Sequence, residues 1–218
     1  MPKSISGAAF SKTALYDGLT GLPTLVEQAV ALSRRMDFIF SCAPAQGRLL
    51  QVLAAGRSGG RVAETGTGCG VGLAWMVSAV DTGTTFVSVE IDDERAAACQ
   101  ALFAGYENVE ILHGDWRRII PRGPFDLVVL DGGGGGKRDN DPPANPTELL
   151  VPGGTVVLDD CHPALEQWPP DQRARKDQYG RDVDHARDYW FNHPDLLTTE
   201  LRVDPLAGAI VGTRRGTV

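Results

Sequence analysis

The 218-residue sequence lacks any C-x-x-C pair: Cys42, Cys69, Cys99 and Cys161 stand far apart. That spacing suggests neither a zinc knuckle nor a disulfide framework, and four reduced, partly buried thiols are the expected state. Positive charge is also scarce, since 21 Lys and Arg stand against 28 Asp and Glu, for a formal charge of −7. Holding a phosphate backbone requires clustered cations, so nucleic acid is excluded as the main partner. The short basic groups at Arg34 and Arg35, Arg117 and Arg118, and Arg173 to Lys176 read as solvated faces. No apolar run reaches membrane-spanning length, so no membrane partner is expected. The opening MPKSISGAAFSK has no apolar stretch of the secretory kind, and a cytoplasmic location is expected.

With 42% hydrophobic residues the chain can build one substantial core, and its length does not demand a second domain. Residues 1–56 read as a helical cap. Within them GLPTLVEQAVALSRRM sets Leu22, Leu25, Val26, Ala29, Val30, Leu32 and Met36 at helical spacing, and GRLLQVLAAG gives a second helix ended by Gly56. Residues 57–218 change rhythm. Short valine-rich runs, RVAET, TFVSVEI, NVEIL, FDLVVLD and GTVVLDD, alternate with helical stretches, as a parallel sheet covered on both faces requires. Two more runs, DLLTTEL and AGAIVGT, are joined closely enough for a hairpin. The fold class is therefore α/β: a doubly wound, mostly parallel seven-stranded sheet with the last strand antiparallel at or near an edge. Pro163 to Val183, with three prolines and many charges, interrupts this pattern as a long loop, of the kind that is either a lid or disordered.

The first strand runs into AETGTGCGVG, where glycines at 66, 68 and 70 let a ligand lie against bare backbone. The dinucleotide fingerprint needs G-x-G-x-x-G, whereas the register here is E-x-G-x-G-x-G, with Glu64 leading. This resembles the first motif of class I S-adenosylmethionine-dependent methyltransferases. The resemblance implies that the loop from Glu64 through Thr65, Gly66 and Gly68 to Gly70 wraps the amino-acid part of that cofactor. Glu90, at the tip of the second strand, suits the two ribose hydroxyls. After the third strand, the resemblance assigns Asp115 to the exocyclic amine of the adenine and Trp116 to its ring face. Asp131 ends the fourth strand beside the topological switch point.

The segment LLVPGGTVVLDDCHP further resembles catechol O-methyltransferase-like enzymes, and the likeness runs from about residue 43 to 160. It implies a small-molecule acceptor, methylated on a hydroxyl, and a divalent cation such as Mg2+ held by Asp131, Asp159 and Asp160. Three adjacent carboxylates would repel one another without such a cation. Two departures stand out: Gly134 occupies the position of that group's usual lysine, and Asp160 that of an asparagine. The candidates for accepting the hydroxyl proton are His162, whose unperturbed pKa lies near neutrality, with Lys137 and His185 as rivals. The glycines after Asp131, in VVLDGGGGGKRDND, read either as a movable loop over the reacting centre or as a plain flexible connector. Acceptor choice falls to the N-terminal helices, to Gly132 to Asp141 and to the loop around Trp168 and Tyr179. The N-terminal helices could also pack against a second copy. Two other functions share these features: an NAD-dependent oxidoreductase, for which the glycine register is wrong, and a catalytically idle cofactor-binding dimer.

Overall fold

The computed structural model describes residues 11–138, 140–161, 184–203 and 208–216. The elements run in the order α1 (Thr24–Arg35), α2 (Pro44–Ala55), β1 (Arg61–Thr65), α3 (Val71–Val77), β2 (Thr85–Glu90), α4 (Asp93–Leu102) and β3 (Val109–His113). There follow β4 (Phe125–Leu130), α5 (Pro146–Leu149), β5 (Leu150–Cys161), α6 (His185–Asn192), β6 (Leu196–Arg202) and β7 (Gly208–Arg214). The strands form one seven-stranded sheet in the order β3-β2-β1-β4-β5-β7-β6. β1 to β5 pair in parallel, while β7 lies antiparallel between β5 and β6. The expected antiparallel last strand is thus next to the edge, and β6 forms the edge itself.

The order reverses at β1 and β4, which begins the two halves of the sheet at neighbouring strands and opens a crevice beyond their carboxyl ends. Alternation along each strand sends Val62, Leu127, Val129 and Val157 to one face, under α1 to α4. It sends Ala63, Val128, Leu130, Val156 and Leu158 to the other, where α5, α6 and the 3-10 turn at Trp116–Arg122 cover them. Both faces are dry, which is why the parallel strands read as runs of valine rather than as an alternating pattern.

Local chemistry sets several boundaries. α2 begins at Pro44, three residues before the sequence pattern starts it, because proline at the first helical position forfeits no intrahelical bond. The side chain of Asp92 caps α4 by accepting the Arg95 N–H, and Asp93 and Glu94 fill the first turn, where the helix dipole favours negative charge. Of the stretches between strands, WRRII forms a 3-10 turn containing Pro121 rather than an α-helix, and NPTELL yields only the four residues of α5. All four cysteines are buried and free. Among the described residues, no helix is long and apolar enough to cross a membrane.

Tight helix packing begins at Gly47. A Cβ there would lie 2.2 Å from Cδ1 and Nε1 of the Trp75 indole on α3. The indole in turn donates to the Tyr16 hydroxyl at 3.0 Å, which donates to the Cys42 carbonyl at 2.7 Å. Gly47→Ala should therefore push α2 off α3 and lower stability by about 1–3 kcal/mol. Urea unfolding checks this, with a lower midpoint and an unchanged slope expected.

Candidate functional site

The carboxyl ends of β1, β2 and β4 bring most of the expected residues together. Gly66, Gly68 and Gly70 all have positive φ, at 81°, 56° and 82°, so the turn out of β1 needs glycine at each. Space makes the same demand. A Cβ on Gly66 would lie 2.6 Å from the Cα and N of Gly132, one on Gly68 2.9 Å from the Phe38 ring, and one on Gly70 2.8 Å from Phe103. Thr65 binds the two loops: its carbonyl accepts the N–H of Asp131 and of Gly132, and its hydroxyl donates to the Gly133 carbonyl at 2.7 Å.

This settles what the glycine run does structurally. Gly132 packs backbone to backbone on Gly66, and Gly133 and Gly134 lie against the Trp116 indole, where a Cβ would come within 2.4 and 3.0 Å of the ring. A Cβ on Gly135 would strike Leu158 at 2.6 Å, and the Gly135 carbonyl accepts the Trp190 indole N–H from α6. The plain-connector reading is corrected accordingly: Gly134, Gly135 and Gly136 are buried, and any side chain on Gly132, Gly133 or Gly135 would collide with a neighbour.

Glu64 is 3% exposed, and its Oε2 accepts from the Ser88 hydroxyl at 2.8 Å, with Thr67 hydrogen-bonded to Ser88 behind it. Burial pushes the Glu64 carboxyl well above the usual carboxylate range; the Ser88 bond opposes this, and the negative charges of Asp131, Asp159 and Glu90 add to it. Burial pushes the Cys42 thiol well up, and the negative charges of Asp159, Asp131 and Glu64 add to this while Lys12 opposes it. Register sets these three acids on one side of the sheet. Leu130 pairs with Leu158, so the next step along both strands sets Asp131 opposite Asp159, on the face that carries Glu64.

Glu90 is occupied more fully than expected. Its Oε2 accepts the Gly68 N–H at 2.7 Å, and its Oε1 accepts the Asp92 N–H and the Arg95 guanidinium at 3.0 and 2.9 Å. With about four acceptor sites on a carboxylate, one on Oε2 is left, so Glu90 can accept one further hydrogen bond rather than the two expected of it. Asp115, half exposed, caps the 3-10 turn through the Arg117 N–H and holds the Arg117 guanidinium with both oxygens at 3.0 Å. That guanidinium lies 4.9 Å from the Trp116 ring centroid, and the indole Nε1 is buried without a partner.

The catalytic and metal candidates are less gathered. Lys137 is buried at 7% exposed, packs by Gly135 and acts on the Cys161 thiol. His185 is exposed at the first residue of α6. His162 and the loop with Trp168 and Tyr179 lie outside the described residues, as does the Asp160 side chain. Among the described residues, no group of three His, Cys, Asp or Glu could hold a metal ion; Asp131 and Asp159 supply two carboxylates.

Sequence reasoning passed over Ser88, Arg95, Phe38 and Gln46. Ser88 had a signal, being the one hydroxyl between valines in TFVSVEI, and it lies directly beside Glu64 in the β1–β2 register. The others gave none, because their positions depend on how separate elements pack.

Comparison with known proteins agrees with this geometry. Residues 63–161 match the family model described as a methyltransferase domain. A protein of Mycobacterium sp. (strain JLS) named "Putative O-methyltransferase" is 31% identical over 144 residues, 60% of this chain and 62% of that one. One of the same name from Mycobacteroides abscessus is 29% identical over 122 residues, 53% of this chain and 56% of that one. The chain thus spans less than two thirds of the length of these curated relatives. Among solved structures, the O-methyltransferase TomG from Streptomyces achromogenes, in complex with SAM, covers 95% of this chain and 97% of its own, with a TM-score of 0.67 at 20% identity. An O-methyltransferase from Bacillus cereus in complex with SAH covers 94% of this chain and 98% of its own, with a TM-score of 0.66 at 15% identity. The resemblance to class I methyltransferases read from the strand-end motifs is borne out: residues 63–161 are similar to a methyltransferase domain, and the α/β core has the Rossmann-like fold of these solved structures.

The raised Glu64 carboxyl has a consequence for stability. An acid whose pKa is higher in the folded state contributes most below its unfolded value, near 4.5, and loses that contribution as pH rises toward the folded value. Glu64→Gln should therefore raise the melting temperature of the ligand-free protein at pH 8 and change it little at pH 4, as a series of thermal melts would show. Equal shifts at both pH values would refute the assignment.

Proposed function

We propose that this protein transfers the methyl group of S-adenosylmethionine to a hydroxyl of a small, aromatic molecule. The observation that carries the reading is that the strand ends set Glu64, Asp131 and Asp159 on one face of the sheet, Glu64 and Asp159 buried, beside the turn where the Gly66 and Gly132 backbones meet. Such a site suits a ligand whose near end is cationic, as the cofactor's ammonium and sulfonium are. It speaks against the oxidoreductase reading, because a dinucleotide would bring its pyrophosphate into like charge.

The residues fit that cofactor. Glu64 and Asp131 would face its amino-acid end, Glu90 has one acceptor site left for a ribose hydroxyl, and the partly buried Trp116 indole would lie by the adenine. When bound, S-adenosylmethionine supplies a methyl carbon activated by its sulfonium. The chain must then hold the acceptor oxygen in line with that carbon, exclude water and take up one proton; positioning alone supplies a large part of the rate. His162 is the proposed base, with Lys137 and His185 as rivals. A divalent cation such as Mg2+ on Asp131, Asp159 and Asp160 would lower the pKa of the hydroxyl instead. A cytoplasmic location fits four buried thiols that form no disulfide. Exposed Phe40 and Val52, in or beside the N-terminal helices, fit pairing with a second copy.

Calorimetric titration tests the core of this reading. The protein should bind S-adenosylmethionine and S-adenosylhomocysteine and give no heat with NADH; binding of NADH alone would overturn it. Glu90→Gln should weaken S-adenosylhomocysteine by about tenfold, the scale of one charge-assisted hydrogen bond. Phenols and aromatic diols assayed with magnesium and with chelator address the chemistry. Asp160→Ala should abolish any magnesium-dependent turnover and leave cofactor affinity unchanged, and His162→Ala should slow turnover strongly. Binding without transfer to any acceptor would favour the idle-dimer alternative.

A further inference from the structure

Gln46 is 4% exposed, and neither its Nε2 nor its Oε1 has a hydrogen-bond partner. Buried polar groups are nearly always paired, because desolvation is otherwise uncompensated. Among the described residues, Gln46 alone leaves both a donor and an acceptor unanswered.

Its place follows from topology. α2 leads through Gly56 into β1 and so runs against the parallel strands, which stands its first turn at the carboxyl edge of the sheet. Gln46 shares the buried face of α2 with Leu50 and Ala54, which belong to the same core layer as Val62, Val129 and Val157. Two residues beyond those valines, on the same side of the sheet, come Glu64, Asp131 and Asp159. Cys42, just before the helix, is close enough to all three acids for their charges to act on its thiol. The same Cys42 lies 3.6 Å from where a Cβ on Gly72 would be, and Glu64 Oε1 lies 2.5 Å from that point.

A carboxamide is an informative choice at such an edge. A further cationic side chain here would compete with a cationic ligand for the acids, and another carboxylate would add to their negative charge. A neutral group with both a donor and an acceptor suits a zwitterion, whose ammonium the acids attract and whose carboxylate they would repel. We propose that Gln46 binds the amino-acid end of the S-adenosyl ligand, its Nε2 donating to the α-carboxylate and its Oε1 accepting from the α-ammonium. This rests on the cofactor reading above and assigns it a contact outside the glycine loop.

The test compares S-adenosylhomocysteine with adenosine, which lacks the amino-acid end, by calorimetry on wild type and Gln46→Met, a near-isosteric apolar variant. The variant should lose about tenfold or more in S-adenosylhomocysteine affinity, keep adenosine affinity within about twofold, and melt no lower than wild type, since an unpaired buried amide is gone. Equal losses for both ligands, or no loss for either, would overturn the role of Gln46 alone. A wild-type protein that binds neither would overturn the cofactor reading beneath it. If Gln46→Met does not fold, Gln46→Asn, which withdraws the amide by one methylene, should show the same selective loss, and its absence would be equally decisive.

Discussion

The contact between Gly66 and Gly132 is the constraint on which the arrangement of the site depends. Two stretches of bare backbone meet where β1 and β4 end, and the Thr65 carbonyl ties them by accepting two N–H groups from the facing loop. No side chain fits between them. Because the sheet order reverses at these two strands, the junction lies in the crevice itself, and the positions of Glu64 and Asp131 are set by it. The other glycines extend the same packing outward to Trp116, Leu158 and α6.

Electrostatics follow from that geometry. Strands held in register present their terminal acids on one face, so the placing of Glu64, Asp131 and Asp159 on a common side of the sheet is imposed by the fold. A folded protein tolerates such an arrangement at a cost in stability, which a cationic ligand offsets when it binds. Glu90 shows the opposite strategy: the Gly68 and Asp92 amides and the Arg95 guanidinium fix its carboxylate before any ligand arrives. The site therefore combines one strained acidic group with one pre-oriented acid.

Much of this was readable in the sequence, for identifiable reasons. Valine runs covered on both faces announce a parallel sheet, and the strand-end acids and glycines fall at fixed offsets from those runs, so Glu64, Glu90, Asp115 and Asp131 could be placed by counting. What failed depended on packing between distant segments. The glycine run looked like slack because its partners, Gly66, Trp116 and Trp190, come from three other parts of the chain. Gln46 gave no signal, since one polar residue in an amphipathic helix ordinarily faces water. WRRII has helical composition, yet Pro121 and the Asp115 cap make it a 3-10 turn.

The buried cysteines have a practical meaning. Burial pushes the thiols of Cys42, Cys69 and Cys99 up, and that of Cys161 to about 12. Since it is the thiolate that reacts, the native protein offers alkylating reagents almost nothing to attack. Each modified cysteine would then record a moment when that layer of the molecule opened. Cys42, Cys69 and Cys99 would report on the helices above β1, and Cys161 on the packing beneath α6, giving four built-in chemical clocks for local unfolding.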